Sequence, residues 1–236
     1  MSISQEIYNI FTKDGQLKQL EYVMEAVQNN GIPCVILKTE EMIICASKKK
    51  TYEKLEIPKD GFITNIGKDT YAMLSGNQYD IDVVKDQICK ISTSEEYRLG
   101  YPATPDIIAL SFGNDLQKDT HTSNERLKAF SGVIFGYDKD KPMIYYTDAT
   151  SVVYPYFGVA MGQFQTKMNK FLEKRYRMNL KEVEALELLV ETLMTSMGQE
   201  LNPEEIEIAV LKPYGKLYYL DLNEIDQVLI GITEKE

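Results

Sequence analysis

The stretch GQLKQLEYVMEAVQNNGIPCVILK, residues 15–38, decides the fold class because its hydrophobic period changes halfway along. Its first half places apolar residues at the spacing of one helix face, at Leu17, Leu20, Met24 and Val27. After the loop 31–33, CVILK is a short apolar run rich in β-branched residues, which is typical of a buried strand. The stretch therefore predicts a helix that leads directly into a strand.

Short strands follow in pairs. The run MIICA, residues 42–46, is separated from CVILK only by residues 39–41, which suits a tight antiparallel hairpin. FITNI and YAMLS, residues 62–66 and 71–75, repeat the pattern around a turn at 67–69. That turn lies in NIGKDT, which is similar to the end of a phosphate-binding loop. Asp69 stands where a hydroxyl should bind magnesium, and its carboxylate would repel phosphate, so the prediction is a hairpin turn.

Helices and strands continue to arrive in groups. The pattern predicts two helices (79–91 and 102–116), four strands (131–138, 143–148, 152–156 and 157–162), two helices (162–172 and 183–198), a strand pair (205–211 and 216–222) and a last helix from about residue 223. Strands joined by short turns require antiparallel sheets, and paired helices cover their outer faces. We therefore predict an α+β protein, a four-layer α/β/β/α sandwich of two antiparallel sheets between helix layers.

Composition excludes several classes of function. The chain has 236 residues, 44% hydrophobic, and a formal net charge of -10, so we expect one folded domain that binds no nucleic acid and no anionic membrane surface. It contains no run of about eighteen apolar residues, and its first ten residues lack the features of a signal peptide. A soluble intracellular protein is the expectation. Three scattered cysteines and one histidine, His121, predict no metal site, disulfide framework or cofactor.

Four motifs, in sequence order, resemble those of the alpha subunits of the 20S proteasome core. The opening helix is similar to the alpha-subunit signature at Phe11, Gly15, Leu17, Gln19, Glu21, Tyr22 and Ala26. The stretch 146–176 is similar to the family's T-D-P-x-G turn and F-L-E-K-x-Y helix at Thr147, Asp148, Tyr156, Ala160, Gly162, Phe171, Leu172, Glu173 and Tyr176. NPEEIEIAVL and EIDQVLIGITEKE resemble the closing strand and helix. Within the family, KKKTYEKLE, RLGYPATPD and the C-terminal end are most similar to the alpha-1 class.

The resemblance implies an N-terminal nucleophile hydrolase fold and a place in the outer alpha ring, whereas the threonine nucleophiles belong to the beta subunits. It implies a gate extension, residues 1–10, followed by the alpha-subunit domain, residues 11–236. The expected partners are other alpha subunits, beta subunits, and the regulatory particle or other activators. The expected role is assembly, substrate gating and regulator docking in ubiquitin-dependent and other protein degradation, in the cytoplasm and nucleus.

The residues at the catalytic positions of this fold are not the types that its catalysis needs. A catalytic relative needs a threonine at the head of the first strand, an acid at the end of the second and a lysine nearby. Here these places fall on Gly31 or Ile32, on Lys48 and on Phe62. A self-processing amidohydrolase of the same scaffold stays as an alternative, with an internal nucleophile at Cys34, Thr39 or Ser131. An isolated α+β binding module is a further alternative and would be a stable monomer.

The gate segment departs from the family pattern. The family's Tyr-Asp-Arg motif falls on Ser4, Gln5 and Glu6, ahead of Tyr8 and Phe11. Because tyrosine and aspartate are missing, the usual hydrogen-bonded gate cluster is not expected, and this tail should contribute less to a closed gate than a standard tail does.

The remaining predicted contacts with other proteins are made by the opening helix and by a pocket for regulators. The apolar stripe of the helix, from Leu17 to Val27, is explained either by burial in its own domain or by contact with ring neighbours. The resemblance implies that Leu17, Gln19, Glu21 and Tyr22 lie at that ring interface. In many alpha subunits a pocket lysine receives an activator's C-terminal carboxylate; Phe62 takes its place, while the pocket glycine is kept as Gly76. Other departures are Arg126–Leu127 in place of Arg-Pro, and Ala149 and Ser151 in the T-D-P-x-G turn.

Overall fold

The chain forms six α-helices and ten strands within the residues that the computed structural model describes, 11–50, 54–57, 61–121, 126–197 and 201–234. The helices are α1 (Lys18–Asn30), α2 (Gln78–Leu99), α3 (Pro105–His121), α4 (Gln165–Arg175), α5 (Glu182–Met197) and α6 (Leu222–Thr233). The strands are β1 (Cys34–Lys38), β2 (Ile43–Lys48), β3 (Ile63–Gly67), β4 (Thr70–Gly76), β5 (Phe130–Asp138), β6 (Lys141–Asp148), β7 (Val153–Pro155), β8 (Gly158–Met161), β9 (Ile206–Leu211) and β10 (Tyr218–Tyr219).

Two antiparallel five-stranded sheets form the centre of the fold. The first sheet has the strand order β10-β9-β2-β1-β8, and the second has the order β3-β4-β5-β6-β7. β1 pairs with β2 from Cys34 opposite Ser47 to Lys38 opposite Ile43, which confirms the hairpin predicted around residues 39–41. The turn in NIGKDT joins β3 to β4, with Asp69 at a φ of 57°, so the hairpin prediction is also confirmed.

Three hydrophobic clusters separate four layers. One lies between the first sheet and α4, α5 and α6, one between the two sheets, and one between the second sheet and α2 and α3. On β1, Val35 and Leu37 belong to the helix-facing cluster and Cys34 and Ile36 to the cluster between the sheets, because successive side chains of a strand point to opposite faces. The predicted α/β/β/α sandwich is confirmed.

Several helix bounds differ from the prediction: α3 ends at His121 instead of residue 116, and α4 spans Gln165–Arg175 instead of 162–172. α2 runs to Leu99, whereas the prediction ended it near residue 91. The prediction stopped early because the second half of α2 is polar and its hydrophobic period fades. A Glu95–Arg98 ion pair at 2.6 Å supports this half of the helix. Gly100, at a φ of 77°, ends it. α3 begins at Pro105 instead of near Pro102. Either proline suits the first helical position, because no hydrogen bond is lost there, so residue type alone did not separate them.

The predicted strand 216–222 is much shorter than expected. Only Tyr218 and Tyr219 pair with β9. The reason is local, because the Asp221 carboxylate accepts the Glu224 N–H at 2.8 Å and starts α6 immediately afterwards. Within the described ranges, the helices fall short of the length and apolarity that a membrane span needs.

Candidate functional site

The head of β1, where a catalyst of this fold presents its nucleophile, is tightly enclosed. The Gly31 carbonyl accepts the Gln163 N–H at 3.0 Å, and the Ser75 hydroxyl donates to the Ile32 carbonyl at 2.7 Å. A Cβ on Gly31 would lie 2.7 Å from the Ser75 Oγ and 2.9 Å from the Gly162 Cα. Because real Cβ atoms do not approach so closely, this backbone leaves no room for a side chain at Gly31.

Cys34, the first candidate nucleophile of the alternative hydrolase, is held as a buried thiol. It is 2% exposed, its Sγ–H donates to the Ile32 carbonyl at 3.3 Å, and the Ser47 Oγ lies 3.2 Å from the sulfur. Burial raises the pKa of the Cys34 thiol to about 12. The thiolate is the nucleophilic form of cysteine, so burial holds this thiol in its less nucleophilic protonated form.

The other two candidate nucleophiles have structural roles. Thr39 is buried, and its Oγ1 accepts the Met42 N–H at 3.2 Å, which shapes the β1–β2 turn. Ser131 is buried on β5, where its hydroxyl donates to the Ser75 carbonyl at 3.5 Å. Thr39 follows the last residue of β1, and Ser131 is paired with Asp148 inside the second sheet.

The three places that matter for catalysis in this fold converge on one cavity of about 270 Å³. Ile32, Lys48 and Phe62 all line it. The other described lining residues include the apolar Leu74 and Ile81, the cationic Lys50 and Lys85 and the acidic Glu56, Asp82 and Glu207. The three positions inferred from the sequence therefore lie close together in the structure. Their side chains are an alkyl group, an ammonium and an aromatic ring.

Phe62 occupies the predicted regulator pocket as a packed aromatic residue. Its ring meets that of Tyr219 edge-on, with centroids 6.0 Å apart. Three ionisable groups at this cavity are affected by their surroundings: Lys50 pairs with Glu56 at 3.0 Å, and burial raises the pKa of Glu207. Phe62 itself offers no charge to a carboxylate.

Gly76 ends β4 and is required by the backbone. Its φ is 145°, and a Cβ there would lie 2.3 Å from the Ala129 carbonyl oxygen and 2.8 Å from the Phe130 Cα. Among the described residues that line the cavity, Phe62 is present and Gly76 is not. The glycine is therefore explained by strand packing.

A clamp next to Gly76 was missed at the level of sequence. Asp80, in the first turn of α2 and 4% exposed, accepts two hydrogen bonds from the Arg126 guanidinium, at 2.5 and 2.8 Å, and one from the Ala129 N–H at 2.8 Å. The bond from Arg126 is the main reason that the pKa of Asp80 is lowered. The clamp fastens α2 to the start of β5. The only sequence signal was the arginine that precedes Leu127.

The predicted ring-interface helix keeps most of its signature surface uncovered. Val27 is the one fully buried residue of α1. Leu17 and Gln19 are partly exposed, Glu21 is exposed and paired with Lys18 at 2.9 Å, and Tyr22 is 50% exposed. Phe11 is 68% exposed, and the other predicted gate residues, Ser4, Gln5, Glu6 and Tyr8, lie outside the described residues.

The turn that follows β6 holds itself together by local hydrogen bonds. The Asp148 carboxylate accepts the Thr150 N–H at 2.9 Å and the Thr150 hydroxyl at 2.6 Å, and the Tyr146 hydroxyl donates to its other oxygen at 3.1 Å. Ser151 has a φ of 64° at the place where the family pattern has glycine. The turn therefore keeps its shape at the cost of a strained serine.

The side chains described here form no metal centre, since the described residues contain no group of three or more His, Cys, Asp or Glu that could hold an ion. The fold and its enclosed first strand place the chain in the class of N-terminal nucleophile sandwiches. The family model "Proteasome subunit" matches residues 28–211. The chain belongs to this family.

Its relatives carry the names of alpha subunits. The chain is 31% identical to the probable proteasome subunit alpha type-2 of Neurospora crassa, over 86% of this chain and 82% of that protein. It is 26% identical to the proteasome subunit alpha of Methanococcus vannielii, over 96% and 87%, and 25% identical to the probable alpha type-1 of Schizosaccharomyces pombe, over 96% and 95%. This chain is a divergent alpha-type member. Because relatives with different class names match it at similar identity, the alpha-1 class stays a prediction.

Proposed function

We propose that this chain is a structural subunit of the outer alpha ring of a 20S proteasome and that it cleaves no bond itself. The observation that carries the non-catalytic part is the set of side chains at one cavity, because Ile32, Lys48 and Phe62 stand there in place of the threonine, the acid and the lysine that a catalytic relative needs. The family match and the names of the relatives support the ring part. The uncovered surface of α1 supports it too, because a helix that served only its own core would bury more of its stripe.

Native mass spectrometry of the endogenous protein tests this function. The expected result is recovery in a large assembly with other alpha subunits and with beta subunits, with the chain keeping its first thirty residues. A free monomer would favour a binding module, and a chain trimmed to Cys34 or Thr39 with peptidase activity of its own would identify a hydrolase. Either result contradicts the proposal.

Gating by residues 1–10 is part of the proposed function. Ordered tails exclude folded substrates, and an activator that binds the displaced tails better shifts the population towards an open entrance. Ten extended residues reach at most about 35 Å, enough to cross part of a narrow entrance. Since the tail carries Ser4, Gln5 and Glu6 in place of the family's motif, it should hold the closed state weakly.

Deletion of residues 1–8 tests this weak gate. We expect peptidase activity of the assembled core to rise less than after the matched deletion in a neighbouring subunit that carries Tyr-Asp-Arg. An equal rise would contradict a weak gate. Assembly of both variants is checked by native gel before activity is compared.

We also propose that the Phe62 pocket does not pair with an activator's terminal carboxylate. The packed ring of Phe62 supports this. Phe62→Lys should then increase binding of a C-terminal activator peptide to the assembled core, and amidation of the peptide should abolish the increase. Thr64→Lys, at the same cavity, is the matched control. No increase for Phe62→Lys, or an equal increase for both variants, would show that position 62 does not decide carboxylate binding.

The proposed partners are the other alpha subunits, the beta subunits and the regulatory particle or another activator, with no cofactor. The proposed location is the cytoplasm and nucleus, as the resemblance implies. Fractionation with antibodies against this chain and a beta subunit tests the location. Enrichment of the chain in membranes or in the medium, apart from the beta subunit, would contradict it.

A further inference from the structure

Glu207 lies on β9 with its side chain turned towards the space between the two sheets. Its backbone is paired with Ser47 of β2. Leu211, further along the same strand, belongs to the cluster between the sheets, and alternate residues of a strand share a face. After burial, the Glu207 carboxylate is the other group that raises the pKa of the Cys34 thiol, so the two groups are close. Glu207 therefore places a carboxylate at the end of the layer between the sheets.

Two cavities, of about 730 Å³ and about 270 Å³, adjoin at this residue, because Glu207 and Gly61 line both of them. Phe62 lines the smaller cavity and Tyr219 the larger one. Their rings meet edge-on, with centroids 6.0 Å apart and an angle of 78° between their planes. A carboxylate and two aromatic rings thus border the junction of the two cavities.

Gly61 leaves the room that the Tyr219 ring needs at this junction. A Cβ on Gly61 would lie 2.2 Å from the Tyr219 hydroxyl oxygen and 2.6 Å from its Cζ. Real Cβ atoms do not approach so closely, and Gly61 also has a φ of 64°. The position of the ring therefore depends on this glycine.

The Glu207 carboxylate is partly buried and forms none of the ion pairs between described residues. Burial raises its pKa, and Lys49 is the cation that opposes this rise. The lysines that line the two cavities are not among the groups that act on this pKa, so they lie too far away to neutralise the carboxylate: Lys48, Lys50, Lys68, Lys85 and Lys216. A partly buried charge without a close counter-ion is costly, so a cation that reached Glu207 would be bound favourably.

We propose that this junction binds an alkylammonium group, with its nitrogen at the Glu207 carboxylate and its carbon chain along the rings of Phe62 and Tyr219. An ammonium donates charge-assisted hydrogen bonds to a carboxylate, and the faces of aromatic rings attract cations. Ile63 and Leu217 add apolar surface for the carbon chain in the larger cavity. The ammonium comes from a lysine side chain of a partner protein or from a free amine. This site does not depend on the proposed ring role.

The probe for the test is n-butylammonium, and n-butanol is its uncharged counterpart of the same length. Each is titrated into the folded full-length chain at neutral pH, and binding is followed by saturation-transfer difference NMR. We expect saturable binding of n-butylammonium, at least about tenfold tighter than that of n-butanol, because the attraction depends on the charge. Equal binding of the two probes, or no saturable binding of n-butylammonium, overturns the proposal.

Three variants locate the binding. Glu207→Gln keeps the shape of the side chain but removes its charge, and it should weaken the binding of n-butylammonium at least about fivefold. Phe62→Leu removes one ring and should weaken it about threefold. Glu204→Gln is the matched control, because it makes the same change at an exposed position just before β9, and it should leave binding unchanged. An equal loss in Glu207→Gln and Glu204→Gln overturns the proposal, and a circular dichroism spectrum unchanged from wild type shows that each variant is folded.

Two further ligands distinguish the sources of the ammonium. Nα-acetyl-lysine methylamide presents it as a protein side chain does, whereas putrescine presents it as a free amine. Each is added in competition with n-butylammonium. Stronger competition by the lysine derivative identifies a partner's lysine, and stronger competition by putrescine identifies a free amine. If neither competes, the proposal is wrong.

Discussion

Replacement of Asp80 by alanine tests how the start of β5 is held. The Ala129 N–H, which the Asp80 carboxylate accepts at 2.8 Å, would lose its partner in the variant. A buried N–H without a partner costs about 1–3 kcal/mol. The ion pair adds little, about 0–1 kcal/mol, because the Arg126 side chain is 68% exposed and water replaces its lost contact. We expect Asp80→Ala to lower the free energy of unfolding by about 2 kcal/mol.

The partner variant separates the two contributions. Arg126→Ala keeps the bond between Asp80 and Ala129 and opens the carboxylate to water, so it should cost less than about 1 kcal/mol. Asp80→Asn keeps an oxygen that can accept the Ala129 N–H and should fall between the two. Asp86→Ala, on an exposed position of the same helix, is the control and should stay within about 0.5 kcal/mol of wild type.

Urea unfolding followed by circular dichroism gives these free energies, and pH supplies a further check. The pKa of Asp80 is lowered below its ordinary value of 3.8. A depressed carboxyl pKa stabilises the folded state above the unfolded pKa, and this stability is lost as pH falls through the folded pKa. The difference between wild type and Asp80→Asn should therefore shrink below about pH 4. If Arg126→Ala destabilises as much as Asp80→Ala, the reasoning is refuted.

Three further substitutions test individual contacts by the same unfolding measurement. The Asn169 side chain accepts the Ala160 N–H at 2.8 Å and donates to the Ala160 carbonyl at 3.3 Å. Asn169→Leu should lower the free energy of unfolding by about 2 kcal/mol, and Asn169→Asp, which keeps the acceptor, should lower it by less. Ser151→Gly should raise stability by up to about 1 kcal/mol and Ser151→Val should lower it, because a φ of 64° disfavours a β-branched side chain; the reverse order would contradict the strain. Gly76→Ala should lower stability by more than about 2 kcal/mol, since its Cβ would meet the Ala129 carbonyl; a smaller loss would show that the strand shifts easily.

The elements were predictable wherever the hydrophobic period was strong. Strands buried on both faces, such as β1 and β2, and the helices α4 and α5 follow from local pattern, and so does the β3–β4 turn with Asp69. The bounds failed where the pattern was weak. The polar second half of α2 carries little periodic signal, and β10 is cut short by the cap of α6.

The candidate site was only partly predictable. The residue types at the head of β1, at Lys48 and at Phe62 already excluded the chemistry of a catalytic relative, but the sequence did not show that Gly31 lacks space for any side chain. Gly76 is a different case: its place in the regulator pocket stays a prediction from the resemblance, whereas its close contact with Ala129 is visible only in the structure. The residues of the Asp80 clamp lie far apart along the chain, so no local pattern marks them.

The sequence by itself determined the alternation of strands and helices, the layered fold and the absence of a threonine at the head of the first strand, because periodicity and residue type are local properties. Only the tertiary structure decided which distant groups meet. Sheet pairing brings Ile32, Lys48 and Phe62 to one cavity, and it sets Glu207 opposite Ser47. The reactivity of a group depends on how far its neighbours exclude water and on the charges that they carry. The tertiary fold determines which residues those neighbours are.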